Sequence, residues 1–292
     1  MGNALRGAGA QHSHPRRRAV WGRMLSDARL AELDGFLLEL NRAAARVILP
    51  LFRGDHGLEN KAAAGDFDPV TQADTGAEAE IRRLIGARYP EHGVIGEEYG
   101  EDRSDAEFVW VLDPVDGTRS FVAGLPLWTT LIGLRHAGRP VLGSIGQPWL
   151  AEVYIGDARG ARLVTQRGER PLAVRRGVRL TEAIIATTDP EGCFDGAEMG
   201  AWRQLRSAAR LIRLGCDAYA YAMVAAGAID LVVEAGLKPW DIEAAIPVIE
   251  GAGGQVTDWR GEAIGRHGGQ VAIAGDPAVL DEALVALRRS AK

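Results

Sequence analysis

Residues 109–118 read Val-Trp-Val-Leu-Asp-Pro-Val-Asp-Gly-Thr. The first four residues are apolar, which predicts a buried strand that leads directly into Asp113. Pro114 fixes its own φ angle and Gly117 permits a tight turn, so Asp113 and Asp116 are expected to point into one small volume. Two carboxylates at such a distance repel each other unless a cation lies between them. Oxygen ligands without imidazole or thiolate favour Mg²⁺ over zinc.

The main-chain amides of Gly117 and Thr118 are also able to face an anion such as phosphate. An ordinary surface turn is the other interpretation of this stretch, since Asp-Pro and Asp-Gly pairs are common in turns.

Three further segments place carboxylates at turns beside predicted strands or helices. They supply Asp74 at the end of residues 68–74, Glu97 and Glu98 after Gly96, and Asp241 after Trp240. Taken singly, Asp74 and Asp241 are typical helix caps, and the two glutamates form a solvated acidic turn.

The chain has 292 residues, of which 47% are hydrophobic and 25% charged, enough for one large domain or two subdomains. Its net charge of −5 argues against a protein that coats nucleic acid. No apolar run approaches the roughly 20 residues of a membrane helix. The 2 cysteines are too few for a disulfide scaffold and are typical of a reducing compartment. We therefore expect a cytoplasmic protein without nucleic-acid or membrane partners.

Hydrophobic patterning divides the chain into three parts. Residues 1–25 are rich in glycine and arginine without an apolar period, and we expect a disordered tail, with a transit peptide as the alternative. Residues 26–175 are predicted to form an N-terminal α+β subdomain with the acidic motifs of its turns. In residues 176–292 strands alternate with helices, which predicts a layered C-terminal subdomain that completes the site.

Within these parts the patterning predicts individual elements. One long helix is expected over residues 26–52, and a second is capped by Thr71 or Asp74. An antiparallel meander follows and ends with a strand at residues 172–174. One helix is predicted over residues 239–252, and the 6 histidines are expected at the surface or in the tail.

The order of the acidic motifs resembles that of the inositol monophosphatase superfamily of Mg²⁺-dependent, Li⁺-sensitive phosphatases. The matching motifs are Gly-Glu-Glu at 96–98, Asp-Pro-Val-Asp-Gly-Thr at 113–118, Trp-Asp at 240–241 and Gly-Ala-Gly-Gly at 251–254. The resemblance covers about residues 30–290. Within the superfamily the chain is most similar to the histidinol-phosphatase branch, through residues 67–74, 124–128, 131–134, 217–221 and 230–241.

The resemblance implies an α+β fold, the layered αβαβα sandwich of the inositol monophosphatase and sugar phosphatase type, in a homodimer. It also implies hydrolysis of L-histidinol phosphate, in histidine biosynthesis, by direct attack of a metal-activated water. An inositol-1-monophosphatase, or a broad-specificity sugar or nucleotide phosphatase, is the alternative activity. A regulatory member that binds RNA or a transcription complex is a remote alternative, which the intact acidic motifs and the net charge of −5 disfavour.

The resemblance also assigns the metal ligands. The side chains of Glu97 and Asp113 and the carbonyl of Val115 are expected to hold one Mg²⁺. Asp113 would bridge to a second ion, also held by Asp116 and Asp241. A third, weaker ion is expected near Glu97, and Li⁺ is expected to inhibit.

The remaining roles concern the water and the phosphate. Thr118 and Asp74 would position and deprotonate the attacking water. The amides of Gly117 and Thr118 would hold the phosphate, and Glu98 would support the metal ligands from outside.

Substrate selection is expected in the second half of the chain. The resemblance places Glu234 where it would pair with the ammonium of the substrate, and Asp217 is a candidate acceptor for its imidazole. A strand-end surface carboxylate and a helix cap are the alternative interpretations of Glu234 and Asp217. Arg119 follows the acidic turn where relatives often carry Lys or Thr. Its role is open between phosphate-site electrostatics and a solvent-facing position.

Overall fold

The computed structural model describes residues 25–55, 57, 59–60 and 69–292. The predicted tail, apart from Leu25, lies outside the described residues, and so do Phe67 and Asp68. Within the described ranges no helix combines the length and the apolar character that a bilayer crossing requires.

The described part of the chain alternates between helices and short strands. The helices are α1 (Asp27–Ile48), α2 (Gln72–Arg88), α3 (Thr118–Val122), α4 (Pro190–Cys193), α5 (Gly196–Ala208), α6 (Asp217–Ala225), α7 (Pro239–Ile242), α8 (Ala245–Gly251) and α9 (Pro277–Leu287). The strands are β1 (Glu59–Asn60), β2 (Pro69–Val70), β3 (Gly93–Gly96), β4 (Gly100–Asp102), β5 (Phe108–Asp116), β6 (Thr129–His136), β7 (Arg139–Gln147), β8 (Glu152–Asp157), β9 (Gly160–Thr165), β10 (Gly168–Pro171), β11 (Ile184–Thr187), β12 (Leu211–Leu214), β13 (Leu231–Leu237), β14 (Gln255–Thr257) and β15 (Gly269–Ala274).

The first two helices begin where polar side chains satisfy their free amides. Ser26 caps α1 by accepting from the amide of Arg29 at 3.2 Å. Thr71 caps α2, and Asp74 completes the capping box by accepting from the amide of Thr71 at 2.9 Å. Both helices bury one apolar face, and that face packs against the large sheet.

Two sheets carry the fold. The larger has the order β10-β9-β8-β7-β6-β5-β3-β4, in which β5 pairs antiparallel with β6 and parallel with β3. The smaller has the order β12-β11-β13-β15-β14. The predicted subdomain boundary at residues 175 and 176 falls between β10 and β11.

Helices fill the spaces on both sides of each sheet. Helices α1 and α2 cover the outer face of the large sheet, α6 and α8 lie between the two sheets, and α5 and α9 cover the outer face of the small sheet. This arrangement is a layered αβαβα sandwich and confirms the predicted fold class.

Several local predictions are wrong. Residues 172–174 are not a strand: β10 ends at Pro171, and the apolar side chains of Leu172 and Val174 are buried between the layers instead. The predicted helix over residues 239–252 is interrupted after Ile242. His92 is only 1% exposed, because it stacks between Tyr89 and Phe108.

A row of three glycines lets α8 approach the large sheet closely. Gly133, Gly143 and Gly156 lie directly opposite one another on β6, β7 and β8. A Cβ atom on Gly143 would lie 2.1 Å from the carbonyl oxygen of Ala244, and one on Gly156 would lie 2.4 Å from the Cα of Val248. Only glycine therefore permits this packing, which fixes the segment that follows Asp241.

We expect Gly143→Ala to destabilise the protein by roughly 1–3 kcal/mol, because the added methyl group must push the backbone of α8 away. Urea unfolding of the two proteins measures the difference. Gly35→Ala is the matched control, since the space around Gly35 on α1 is open and alanine favours the helix. The control should raise the free energy of unfolding slightly. Equal effects of the two substitutions would contradict the close packing.

Candidate active site

The predicted site residues converge on one pocket of about 190 Å³ between the two sheets. Its lining includes most of the residues assigned from the sequence, namely Glu97, Asp113, Val115, Asp116, Gly117, Thr118, Asp217, Glu234 and Asp241. Thr188, Cys193, Tyr221, Ala235 and Leu237 also line it. Asp74 and Glu98 are not among the lining residues.

Asp113 and Asp116 come from a bulged strand end. Strand β5 continues to Asp116, whereas the sequence predicts that it stops at Leu112, and its pairing with β6 is irregular between the two aspartates. The Oδ1 atom of Asp113 accepts from the amide of Val115 at 3.1 Å. Gly117 then adopts a φ of +82°, a conformation that favours glycine. The bulge thus turns both carboxylates toward the pocket.

Helix α6 is attached directly to this turn. The Oδ2 atom of Asp116 accepts from the amide of Ala218 at 2.7 Å and from the hydroxyl of Thr129 at 3.3 Å. Because Ala218 belongs to the C-terminal part of the chain, one predicted metal ligand already connects the two halves of the protein.

Asp217 closes over the same turn. Its backbone is left-handed, with a φ of +44°, and its Oδ2 atom accepts from the hydroxyl of Ser120 at 3.1 Å. A Cβ atom on Gly117 would lie 2.8 Å from that oxygen. The helix-cap interpretation of Asp217 is wrong, since Cys216 is the N-cap residue and makes no side-chain cap. The strained backbone instead holds the carboxylate against the turn at Gly117.

Asp74 and Thr118 face each other across the turn. The Oδ2 atom of Asp74 accepts from the hydroxyl of Thr71 at 2.6 Å, and Oδ1 lies 3.4 Å from the hydroxyl oxygen of Thr118. That hydroxyl also lies 3.1 Å from the carbonyl oxygen of Val115. Thr71 is thus the cap of α2, and Asp74 is both the third residue of its capping box and a neighbour of the predicted water-binding hydroxyl.

The other two predicted carboxylate ligands come from two different elements, the turn after β3 and helix α7. Glu97 follows β3, and its amide donates to the carbonyl of Leu112 at 3.2 Å, which holds it beside β5. Asp241 is the third residue of α7, and its carboxylate accepts from the amide of the N-cap residue Lys238 at 2.7 Å. Two residues later, the buried pair of Glu243 and Arg135 anchors this segment to β6.

These carboxylates give the pocket a strongly negative electrostatic potential. Burial raises the pKa of Asp113 well above its ordinary value, and the charges of Glu97, Asp116 and Asp241 raise it further. Burial and Asp217 do the same for the pKa of Asp116. Burial also raises the pKa of Asp241, to about 6.

The donor set fits a hard cation. In the described part of the chain, the hydrogen bonds to Asp113 and Asp116 come from amides and hydroxyls, and no Lys or Arg pairs with either. Oxygen ligands whose charges repel one another are typical of Mg²⁺ sites. No three Asp, Glu, His or Cys side chains among the described residues are already gathered around one metal position.

Glu234 lies on another wall of the pocket and is only 3% exposed, so the surface interpretation is wrong. Its carboxylate accepts from the amide and hydroxyl of Thr188, each at 2.9 Å, and from the hydroxyl of Thr187 at 3.2 Å. Burial raises the pKa of Glu234 to about 8. The sequence interpretation missed both threonines. Their only signal is a pair of hydroxyl residues at the end of the apolar strand β11.

Arg119 faces solvent, as one of its two interpretations predicts. Its guanidinium is exposed and lies 3.2 Å from the carboxylate of Asp189, which caps α4. Arg119 therefore connects the start of α3 to the segment that carries Cys193. Burial raises the pKa of the Cys193 thiol, which disfavours the nucleophilic thiolate.

Comparisons with known proteins identify a family and similar chains. The model of the inositol monophosphatase family matches residues 29–292. The chain is 41% identical to the chloroplastic bifunctional phosphatase IMPL2 of Arabidopsis thaliana, over 82% of this chain and 67% of that protein. It is 36% identical to the histidinol-phosphatase of Chlorobaculum parvum, over 77% and 85%. Among solved structures, an inositol monophosphatase from Zymomonas mobilis aligns over 90% of this chain and 100% of its own, with a TM-score of 0.79 and 36% identity.

The raised carboxyl pKa values predict how the metal-free protein responds to pH. Folding raises the pKa of Asp241 from 3.8 to about 6, so its contribution to stability is complete below about pH 4 and is lost as the pH rises through 6. We expect metal-free Asp241→Asn to be more stable than the wild type at pH 8, by roughly 1–3 kcal/mol.

At pH 5 the difference should be smaller, and Mg²⁺ should raise the Tm of the wild type more at pH 8 than at pH 5. Thermal unfolding with EDTA or with Mg²⁺ at both pH values measures these differences. If the stability of Asp241→Asn relative to the wild type does not increase between pH 5 and pH 8, the burial of an ionised Asp241 is contradicted.

Proposed function

The chain belongs to the inositol monophosphatase family of phosphatases, and we propose that it hydrolyses L-histidinol phosphate to L-histidinol and phosphate with Mg²⁺. The observation that carries this proposal is the pair of carboxylates, Glu234 and Asp217, that share the pocket with the predicted metal ligands. Histidinol carries an ammonium group and an imidazole, whereas inositol is a neutral polyol. Buried carboxylates pair favourably with a cationic leaving group and gain nothing comparable from a neutral one.

Five residues would hold the metal ions, as the chemistry of the donor set suggests. They are Glu97, Asp113, Asp116, Asp241 and, through its carbonyl, Val115. Bound Mg²⁺ would lower the pKa of a coordinated water and stabilise the charge of the phosphoryl group. It would also neutralise the repulsion that raises the pKa values of Asp113 and Asp116.

The chain's own groups would orient the reactants. The hydroxyl of Thr118 and the carboxylate of Asp74, 3.4 Å apart, would hold the attacking water and receive its proton. Gly117 and Thr118 stand at the start of α3, where the amides have no helical acceptor, so they would face the phosphate. Glu98 would support this arrangement from outside the pocket.

The alternative function is that of an inositol-1-monophosphatase or a broad-specificity phosphatase. The observation that favours it is the inositol monophosphatase structure from Zymomonas mobilis, which is as similar to this chain, at 36%, as the Chlorobaculum histidinol-phosphatase is. A regulatory RNA-binding role is the remote alternative. The acidic pocket and the net charge of −5 are unfavourable for a polyanion.

The proposal includes a homodimer in the cytoplasm. Leu125, Trp149 and Leu150 are 51%, 45% and 45% exposed, and apolar surface of this kind is typical of an interface. Gln147 joins the two loops that carry them, because its amide donates to the carbonyls of Pro126 and Trp128. Sedimentation velocity at micromolar concentration should give a dimer, and a monomer would contradict this part of the proposal.

Phosphate release tests the function directly. Purified protein with Mg²⁺ should release phosphate from L-histidinol phosphate much faster than from inositol 1-phosphate, and EDTA should abolish both activities. Faster release from inositol 1-phosphate would favour the alternative function. RNA binding at physiological salt without any phosphatase activity would favour the regulatory one.

The selectivity residues are tested by isosteric variants. Glu234→Gln and Asp217→Asn should lower kcat/KM for histidinol phosphate by roughly tenfold to a hundredfold, because each removes a charge partner of the leaving group. The kcat/KM for an aryl phosphate should fall much less. Assays at pH 8.5 keep Glu234 mostly ionised. Glu191→Gln, an exposed charge change on α4, is the control and should affect both substrates little. Equal losses on both substrates would contradict the assignment.

A further inference from the structure

Glu78 is a fully buried carboxylate that the proposed reaction does not use. It lies on α2, is 0% exposed, and follows Asp74 by four residues. Residues spaced in this way lie on the same face of a helix. Burying a charged group is costly unless it is paired and hydrogen-bonded. The partners of Glu78 therefore indicate its role.

Those partners are the amides of the turn that carries Glu97. The Oε2 atom of Glu78 accepts from the amide of Glu98 at 2.8 Å, and Oε1 accepts from the amide of Tyr99 at 3.2 Å. Arg82, one helical turn further along α2, donates to Oε1 at 2.7 Å and also to the carbonyl of Gly100. The turn after β3 is therefore held to α2 through one carboxylate.

The same contact explains why the acidic motif begins with glycine. Gly96 does not have a positive φ angle, so backbone conformation does not require glycine there. A Cβ atom on Gly96 would instead lie 2.1 Å from Oε1 of Glu78. The carboxylate of Glu78 occupies the space that any side chain at residue 96 would need.

We propose that Glu78 is a positioning residue that fixes the predicted metal ligand Glu97 relative to Asp74. Helix α2 carries Asp74 on its first turn, and Glu78 holds the turn of Glu97 one helical turn later. One rigid helix thus sets the distance between the carboxylate that receives the proton of the water and a carboxylate that binds metal. This inference rests on the proposed Mg²⁺-dependent function.

The experiment compares the full-length wild type with Glu78→Gln. Glutamine has the same shape, but only one of its two polar atoms can accept, so it cannot hold both amides and Arg82. We expect the Mg²⁺ concentration for half-maximal phosphate release to rise roughly tenfold or more. The Mg²⁺ concentration that gives half of the rise in Tm should shift by the same factor, while kcat at saturating Mg²⁺ should change far less.

Glu80→Gln is the matched control. Glu80 lies on the same helix and pairs with Arg83, as Glu78 pairs with Arg82, but it makes no contact with the turn of Glu97 among the described residues. The control should leave both Mg²⁺ responses unchanged. It separates the loss of a helical ion pair from the loss of the hold on the turn.

A second pair of variants tests the close approach of Glu78 to Gly96. Gly96→Ala should weaken the Mg²⁺ response, because its methyl group displaces the carboxylate of Glu78. Adding Glu78→Asp shortens that carboxylate by one methylene and should restore part of the response. Amide hydrogen exchange at Glu98 and Tyr99 in the metal-free protein should be faster in Glu78→Gln than in the wild type.

The outcomes are distinguishable. If Glu78→Gln lowers Tm but leaves both Mg²⁺ responses and the exchange of the two amides unchanged, Glu78 has only a structural role and the inference is wrong. If the wild type itself shows neither a Mg²⁺-dependent rise in Tm nor phosphate release, the proposed function has failed first.

Discussion

Repulsion among buried carboxylates is the constraint on which the rest of this structure depends. Asp113 and Asp116 share one pocket with Asp241 and Glu234, and burial raises the pKa of each. Within the described ranges, no Lys or Arg forms an ion pair with any of these four carboxylates. The fold must therefore hold the carboxylates together against their repulsion, and a cation is the group that would relieve it.

The fold meets this constraint with rigid contacts on both sides of the pocket. From the N-terminal half, the bulge of β5 and the capped helix α2 present their carboxylates. The row of glycines on β6, β7 and β8 and the buried pair of Arg135 and Glu243 hold the C-terminal segment that carries Asp241 against the large sheet. The bond from Ala218 to Asp116 connects the two sides.

Local patterns predict the elements of this chain well where one face of an element is buried. The apolar spacing of α1 and the capping residues of α2 are visible in the sequence, since both depend on neighbours within a few residues. The errors occur where tertiary contacts override such patterns. Leu172 and Val174 are apolar because they lie between layers, not because they pair in a strand. Likewise Glu243, which faces Arg135, lies where the predicted helix breaks.

The sequence by itself determined which carboxylates follow which strands, because motif order and spacing are properties of the chain. It therefore indicated the family, the fold class and an acidic site. Only the tertiary structure decided what surrounds each carboxylate. Two threonines hold Glu234, and Glu78 lies against Gly96, although these partners are far apart in the chain. The backbone of Asp217 is likewise strained where it packs against the distant Gly117. Such contacts depend on how the layers pack, and no pattern of neighbouring residues encodes them.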